Sequence, residues 1–183
     1  MTELTKIVLT GPESTGKSML GMALAEHYGL KCVPEFARYY LEKNGKEYNF
    51  NQLLEIARGH KVFQRQAVED YKGSIIFYDT DLINFHIWTK LVFHQSHKWI
   101  DEEMEKEQDH LYLLLYPDIP WTHDPLRENP NNRHHIYDHH LRTIANLKRK
   151  YRVIKGNGDI RIRNAIKAVD EMLSLKGFKK QKS

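Results

Sequence analysis

Short apolar runs alternate with segments of helical periodicity along the chain. Five such runs predict β-strands, at residues 6–10, 31–33, 74–81, 111–116 and 151–154. In the segments that follow them, apolar residues recur at three- and four-residue steps, which is typical of amphipathic helices. These helices are predicted at residues 17–28, 35–41, 51–71, 83–93, 101–108, 134–150 and 159–175. The alternation predicts an α/β fold in which helices cover both faces of a parallel five-stranded sheet.

The turn between the first strand and the first helix carries the motif G-x-x-x-x-G-K-S/T. Both flanking elements that the motif requires are present. Its glycines let successive N–H groups point inward, and the helix adds its positive end, so the loop forms a concave site for phosphates. In such a loop Lys17 contacts the β and γ phosphates and Ser18 ligates Mg²⁺. The residues predicted to bind the nucleotide here are Gly11, Glu13, Ser14, Thr15, Gly16, Lys17, Ser18 and Met19.

Carboxylates follow the second and third strands, at the edge where parallel α/β sheets bind ligands. Asp79 ends the third apolar run, a position from which a carboxylate holds Mg²⁺ directly or through water. Glu35 follows the second strand and is the candidate base that takes the proton of an acceptor hydroxyl. Asp81 competes with Glu35 for that role, and the sequence leaves open which of the two holds the acceptor's hydroxyls. Asp79 is favoured over Asp81 on the metal side.

Residues 118–133 form the least regular part of the chain, with three of its six prolines. Long loops in compact domains are commonly functional, so we expect a mobile lid. Arg127 and Arg133 lie in it, and an arginine brought onto a transferring phosphoryl group neutralises its equatorial oxygens. We favour Arg127 for this role and a structural or solvated role for the other. These features indicate a kinase that depends on ATP and Mg²⁺.

Length and composition fit one globular domain. The chain has 183 residues, 40% hydrophobic and 28% charged, and no apolar run of about 18 residues that could span a bilayer. We expect a kinase domain over residues 1–175 and a basic, disordered tail over residues 176–183. The single cysteine, Cys32, forms no internal disulfide, and no signal peptide is recognisable, so a cytoplasmic protein is expected. We interpret Cys32 as a small buried residue near the second strand.

The net charge of +4 is concentrated in the tail and in residues 148–150. Neither forms a basic stripe with interleaved aromatic residues, so nucleic-acid binding is a minor hypothesis. The absence of an Asn-Lys-x-Asp motif argues against a GTPase, and that of G-x-G-x-x-G against dinucleotide redox chemistry. His135 and His139 are four residues apart on a predicted helix, but no third metal ligand has clear spacing. We interpret His60, on the apolar side of its helix, as a core histidine.

The motifs together resemble the ribosylnicotinamide kinase domain of NadR-type proteins. The resemblance covers nearly the full chain and rests on the phosphate loop, residues 35–38, Gly59-His60, residues 77–81 and Trp121-x-x-Asp124-x-x-Arg127. It implies a small P-loop kinase fold with strand order 2-3-1-4-5. The implied reaction transfers the γ phosphate of ATP to the 5′-hydroxyl of nicotinamide riboside, which gives nicotinamide mononucleotide for NAD salvage.

The resemblance also implies roles for single residues. Lys17 and Ser18 would hold phosphate and Mg²⁺, and Glu35, Asp79 and Asp81 would line the acceptor and metal side. Arg127 would serve the lid, and Asn157, after the last strand, would meet the adenine. The further residues expected to contact the substrate are Arg38, Tyr39, Trp121 and Asp124. Tyr39, Tyr40 and Trp121 are the candidates for stacking on the pyridine.

NadR-type proteins usually also carry a helix-turn-helix and a nucleotidylyltransferase domain with a His-x-Gly-His motif. This sequence has neither, so we expect it to phosphorylate without repressing transcription or adenylylating the product. Two alternatives stay open. The acceptor is another nucleoside, or the chain is a P-loop regulatory ATPase that switches with a macromolecular partner.

Overall fold

The computed structural model describes residues 4–127 and 129–177, and within them strands and helices alternate as the sequence predicts. The strands are β1 (Thr5–Thr10), β2 (Lys31–Val33), β3 (Ile75–Asp79), β4 (Leu111–Leu115) and β5 (Lys150–Ile154). The helices are α1 (Lys17–Tyr28), α2 (Phe36–Asn44), α3 (Phe50–Glu69), α4 (Leu82–Phe93), α5 (Lys98–Lys106), α6 (Arg133–Asn146) and α7 (Gly158–Leu175).

The five strands form one parallel sheet in the order β2-β3-β1-β4-β5, which confirms the predicted topology. β1 lies at its centre, and its register with β3 runs from Thr5 opposite Ile75 to Leu9 opposite Asp79. The carboxyl ends of β1, β2 and β3 therefore meet at one edge of the sheet. Because this edge holds the phosphate loop, Glu35 and Asp79, the order of the strands brings the three together.

Helices cover both faces of the sheet, so the fold has three layers. Successive strand residues point to opposite faces, and on β1 Ile7 and Leu9 pack with α1 and α7, whereas Val8 packs on the other side. That second core is formed with α2, α3, α4, α5 and α6. Since both faces are buried, the strands are apolar on both, as expected for parallel sheets.

Helix ends differ from the predicted ones by a few residues. α3 begins after Asn49, whose side chain accepts a hydrogen bond from the Gln52 N–H in a capping box. α6 ends at Asn146 instead of residue 150, because Lys148 takes a left-handed φ of 54°. Lys150 already belongs to β5, where it pairs with Leu111 of β4. Predicted helix ends extend too far when the chain turns into a strand, which periodicity alone does not reveal.

Cys32 is partly buried on β2, and burial raises the pKa of its thiol to about 12. The thiolate is therefore scarce at neutral pH.

In residues 4–127 and 129–177, no helix combines the length and the apolar character that a membrane crossing requires. Residues 178–183 of the predicted tail lie outside the described part of the chain.

Candidate active site

The backbone of the phosphate loop has the conformation that an anion site needs. Gly11 adopts a φ of 134°, and a Cβ atom there would lie 2.8 Å from the Leu115 carbonyl oxygen, so only glycine fits. Gly16, with a φ of 78°, is the N-cap of α1. It has no side chain to occupy the first N–H groups of the helix, and these groups with the positive end of α1 attract phosphate.

Lys17 and Ser18 start α1, and their polar atoms have different partners. Lys17 Nζ donates to the carbonyls of Gly11 and Pro12 at 3.0 and 2.9 Å. Ser18 Oγ donates to Asp79 Oδ2 at 2.5 Å. Lys17 is thus held over the loop by two weak acceptors that a phosphate oxygen, carrying a full charge, would replace.

Asp79 and Ser18 have the donors that a magnesium ion requires. Asp79 is only 2% exposed, and its Oδ1 has no hydrogen-bond partner among the described residues. Burial raises the pKa of Asp79, and Lys17 and the Ser18 hydroxyl oppose the rise. Mg²⁺ prefers carboxylate and hydroxyl oxygens, and it would satisfy a buried carboxylate oxygen that is otherwise left unpaired. The two residues therefore fit a magnesium site.

Glu35 lies across the cleft at the N-cap of α2, where Pro34 has ended β2. Its side chain makes no capping hydrogen bond to its own helix and lines the same cleft as Lys17. Burial, with the negative charge of Asp79, raises the pKa of Glu35 to about 7, although Lys17 and Arg38 lower it. A carboxylate with a pKa near neutrality is well suited to take a proton at physiological pH.

The lid, residues 118–133 with Glu128 outside the described part, lies on the phosphate loop. Ser14 makes most of the contacts: its Oγ accepts from the Thr122 N–H at 2.8 Å and from Arg127 Nη1 at 3.3 Å. Its carbonyl accepts from Arg133 Nη1 at 3.1 Å. Both lid arginines therefore reach the loop, but of the two only Arg127 lines the cleft.

Arg38 and Asp124 join α2 to the lid. Arg38 Nη2 is 2.7 Å from Asp124 Oδ2, and Asp124 Oδ1 accepts from the Leu126 N–H. Arg38 lines the cleft, whereas Asp124 does not. Hydrogen bonds from Leu126 and Arg38 lower the pKa of Asp124, so the carboxylate is charged when it holds the lid. Its observed role is to fasten the lid to α2.

Three further predicted residues do not line the cleft. Tyr39 is 60% exposed. Trp121 lies under the Arg133 guanidinium, with Cζ 6.0 Å from the ring centre. Asn157 is the N-cap of α7 and accepts from the Gly158 N–H at 2.8 Å. Their expected contacts with the substrate and the adenine stay predictions.

Asp81 was expected to contact the substrate, but the structure buries it away from the cleft. Its exposure is 0%. Oδ1 caps α4 by accepting from the Ile83 N–H, and Oδ2 accepts from Tyr112 Oη at 2.5 Å and contacts His110 Nδ1 at 3.1 Å. Burial alone would raise the pKa of Asp81, yet its bonds with His110 and Tyr112 keep it low. Because both oxygens have partners inside the protein, the structure favours a structural role for Asp81, and the expected substrate contact stays a prediction.

The opposite wall of the cleft is apolar and was missed by the sequence analysis. It comes from α2, α4, α6 and the lid, with Asn84 and His140 as polar members, and includes Leu41, Ile87, Trp88, Leu91, Leu126 and Ile136. One signal was available in the sequence, since α4 is apolar on nearly every side. A helix at the surface of a sheet needs only one apolar face, so its second apolar face indicated a pocket.

Two buried polar residues, His140 and Arg161, connect the site to the rest of the fold. His140 Nδ1 is 3.0 Å from Thr10 Oγ1 at the end of β1, and burial lowers the pKa of His140 to about 3. Arg161 of α7 donates to the Thr15 carbonyl at 3.0 Å and pairs with Asp118 at the start of the lid. Neither belongs to a sequence motif.

His135 and His139 stay on the surface of α6, and the described residues offer no third ligand beside them.

Solved structures with a similar fold include NadR proteins and a deoxyadenosine kinase. NadR in complex with NR is 24% identical and has a TM-score of 0.83, covering 98% of this chain and 53% of its own. NadR in complex with NAD and AMP-PNP is 21% identical with a TM-score of 0.77, covering 98% and 51%. Deoxyadenosine kinase from M. mycoides is 13% identical with a TM-score of 0.61, covering 91% and 99%. The likeness to NadR-type proteins predicted from the sequence is confirmed for the fold.

This chain spans about half the length of the NadR chains that it matches. A search of curated protein sequences finds no significant match. A family model described as an AAA domain matches residues 6–162, which include β1 to β5, the phosphate loop and Asp79. The match covers most of the sequence, and the chain belongs to the AAA domain family.

Proposed function

We propose that this chain is an ATP- and Mg²⁺-dependent kinase that phosphorylates the 5′-hydroxyl of nicotinamide riboside. The observation that carries the proposal is the cleft itself. The phosphate loop, the Glu35 carboxylate with a pKa of about 7, and apolar side chains of α2, α4, α6 and the lid line one cavity. A hydrolytic switch has no need of a base and an acceptor pocket on the far side of the phosphates.

The proposed mechanism depends on position and charge, since phosphoryl transfer requires little covalent chemistry from the protein. Lys17 would turn from the carbonyls of Gly11 and Pro12 to the β and γ phosphates. Ser18 and Asp79 would hold Mg²⁺, which supplies charge neutralisation between the phosphates. Glu35 would accept the proton of the acceptor hydroxyl, and Arg127 would contact the equatorial oxygens from the lid.

The acceptor pocket supports a nucleoside with a flat base. Trp88 Nε1 donates to Tyr48 Oη at 2.7 Å, which fixes the indole ring in the pocket wall. An aromatic face attracts a positively charged ring such as a pyridinium, and Asn84 offers an amide for a polar substituent. The solved NadR structures contain NR and, in another crystal, NAD with AMP-PNP, which favours nicotinamide riboside over other nucleosides. A cytoplasmic location is part of the proposal.

The proposal is tested by ADP release with Mg-ATP against nicotinamide riboside, uridine, cytidine, adenosine, thymidine and no acceptor. We expect turnover with nicotinamide riboside at least about tenfold above that with each of the others, since a buried polar group left unpaired by the wrong base costs on the order of 1–3 kcal/mol. Turnover with a different nucleoside would refute the substrate and retain the kinase. Equal ADP release with and without acceptors would refute the kinase and favour a regulatory ATPase.

Replacement of Asp81 separates the structural role found here from the expected substrate contact. We expect Asp81→Ala to lower the free energy of unfolding by about 2–4 kcal/mol, because it removes a helix cap and leaves Tyr112 and His110 without their buried acceptor. The KM for the acceptor should stay within about twofold. Asp138→Ala, at an exposed position of α6, is the control and should change stability by less than about 0.5 kcal/mol. Urea unfolding measures the change in stability, and steady-state kinetics measure the KM for the acceptor. A raised KM at unchanged stability would restore the substrate contact.

A further inference from the structure

The N-terminus of α2 is capped by a residue of another helix. The first N–H groups of a helix have no partner inside it and usually take one from the N-cap side chain. Glu35 is the N-cap residue of α2, yet its carboxylate makes no such bond. The Phe36 N–H donates instead to His60 Nδ1, on α3, at 3.4 Å. His60 therefore supplies the acceptor for the first N–H of α2, directly beside Glu35.

The other ring nitrogen of His60 contacts the end of β3. Nε2 is 3.3 Å from the carbonyl oxygen of Thr80, the residue directly after Asp79. A carbonyl only accepts, so Nε2 must carry the proton, which leaves Nδ1 as the acceptor that the Phe36 N–H requires. Both contacts therefore need the same neutral tautomer. Through them His60 connects the chain beside Glu35 to the chain beside Asp79.

Gly59 makes this bridge possible. A Cβ atom at this position would lie 2.3 Å from Cε1 and 2.8 Å from Cζ of Phe36. The Phe36 ring has little room to move, because it packs against Phe63 and Tyr39 with ring centres 6.0 Å apart. Only glycine lets α3 approach the start of α2 closely enough for the next residue, His60, to reach the Phe36 N–H.

His60 is also protected from protonation. It is fully buried, and burial lowers its pKa to about 4, against the opposing effects of Asp81 and the Thr80 carbonyl. Lys61, on the same helix, lowers the pKa further. The His60 ring therefore stays neutral across the physiological pH range, and its Nδ1 remains an acceptor for the Phe36 N–H.

We propose that His60, as the Nε2–H tautomer, is a positioning residue: by holding the Phe36 N–H and the Thr80 carbonyl it fixes the chain beside Glu35 and beside Asp79, and so keeps the Glu35 carboxylate in the cleft. The proposal rests on the proposed kinase function, because Glu35 and Asp79 are positioned for that reaction. Thr80 has a second donor in Gln64 Nε2, at 3.1 Å, whereas the Phe36 N–H depends on His60. Loss of the contact with Phe36 should therefore lower kcat more than loss of the contact with Thr80.

Two amide variants separate the two contacts. In His60→Gln the amide nitrogen reaches the position of Nε2 and keeps the bond to Thr80, but the Phe36 N–H loses its acceptor. In His60→Asn the amide oxygen reaches the position of Nδ1 and keeps that acceptor, while Gln64 still serves Thr80. We expect His60→Gln to lower kcat by about 10- to 100-fold through misplacement of Glu35. We expect His60→Asn to stay within about fivefold of wild type. Both variants lose packing, so both should lose stability.

The pH profile supplies a second readout. In His60→Gln the Phe36 N–H becomes available to the Glu35 carboxylate, and a hydrogen bond to the charged form lowers the pKa of a carboxyl group. The acidic limb of kcat/KM should therefore move to lower pH, while the other charged groups facing Glu35, namely Asp79, Lys17, Arg38 and Glu13, are unchanged. The control is His86→Gln on α4, where His86 pairs with Asp101 at 2.6 Å and does not line the cleft. Its kcat and pH profile should match wild type.

A third readout does not need turnover. In protein labelled with ¹⁵N at histidine, the ring nitrogens of His60 should show the neutral Nε2–H tautomer between pH 5 and pH 8, with the signals assigned by their loss in His60→Gln. An Nδ1–H tautomer, a ring that becomes charged near pH 6, or equal losses of kcat in the Gln and Asn variants would overturn the proposal. A wild-type chain that phosphorylates no acceptor but shows the expected tautomer and a protected Phe36 amide would refute the kinase and leave the cap established.

Discussion

Lys17→Ala is expected to lower kcat by about 10³-fold or more while the protein stays folded. Among the described residues, the Lys17 ammonium donates hydrogen bonds only to loop carbonyls, at 2.9 and 3.0 Å. Neither contact holds two elements of the fold together, so their loss costs little stability. The same ammonium is placed to reach the β and γ phosphates, where the transition state gains charge. Its removal therefore affects the reaction far more than the fold.

The measurement is single-turnover phosphorylation with saturating Mg-ATP, together with a thermal unfolding curve. Lys43→Ala is the matched control, because Lys43 is exposed on α2 and carries the same charge away from the loop. We expect its kcat to equal that of wild type. Undiminished phosphorylation by Lys17→Ala would contradict the assigned role, whereas an unfolded variant would show that the contacts with Gly11 and Pro12 stabilise the loop more than their geometry indicates.

The architecture could be predicted from the sequence because its determinants are local. Apolar runs such as Leu111–Leu115 are closely followed by Pro117, which cannot continue a central strand. The phosphate loop was recognisable because strand, turn and helix are contiguous, and the turn requires a particular residue at Gly16, whose φ of 78° leads the chain into α1. Patterns of this kind depend on neighbours in sequence, which a single sequence contains.

The far wall of the cleft could not be predicted in the same way, because it is assembled from distant segments. Asn84 and His140 line it from α4 and α6, and no motif links positions so far apart. Asp81 shows the converse. Its place after a strand predicted a ligand contact, but the Ile83 N–H occupies Oδ1, and Tyr112 and His110, some 30 residues away, occupy Oδ2. A carboxylate at a strand end is equally suited to cap the next helix, and only tertiary contacts decide between the two roles.

Glu35→Gln is the second change from which we expect a large effect, a loss of about 10²- to 10⁴-fold in kcat, since the amide has the shape of the carboxyl group but accepts no proton. Wild-type kcat/KM should rise with pH through about 7, as the Glu35 carboxyl with its raised pKa ionises. The variant should show a flat profile over the same range. Glu47→Gln, exposed on the loop before α3, is the control and should retain the wild-type profile. A variant that keeps the acidic limb would assign that limb to another group and refute Glu35 as the base.

Glu35→Gln should raise the free energy of unfolding although it lowers kcat. The sign follows from the difference in proton binding between the folded and the unfolded chain. The pKa of Glu35 is raised from 4.5 to about 7 in the folded protein, so between these pH values the folded chain binds more protons than the unfolded one. Its stability therefore falls as pH rises from about 4.5 to about 7 and is then constant. Glutamine carries no charge to bury, so Glu35→Gln should be more stable than wild type at pH 8 and similar to it at pH 4. Urea unfolding at the two pH values measures the difference. A catalytic base whose ionised form costs stability is typical of a site arranged for catalysis. Equal stabilities of Glu35→Gln and wild type at pH 8 would show that the cleft solvates Glu35 too well for its pKa to reach neutrality.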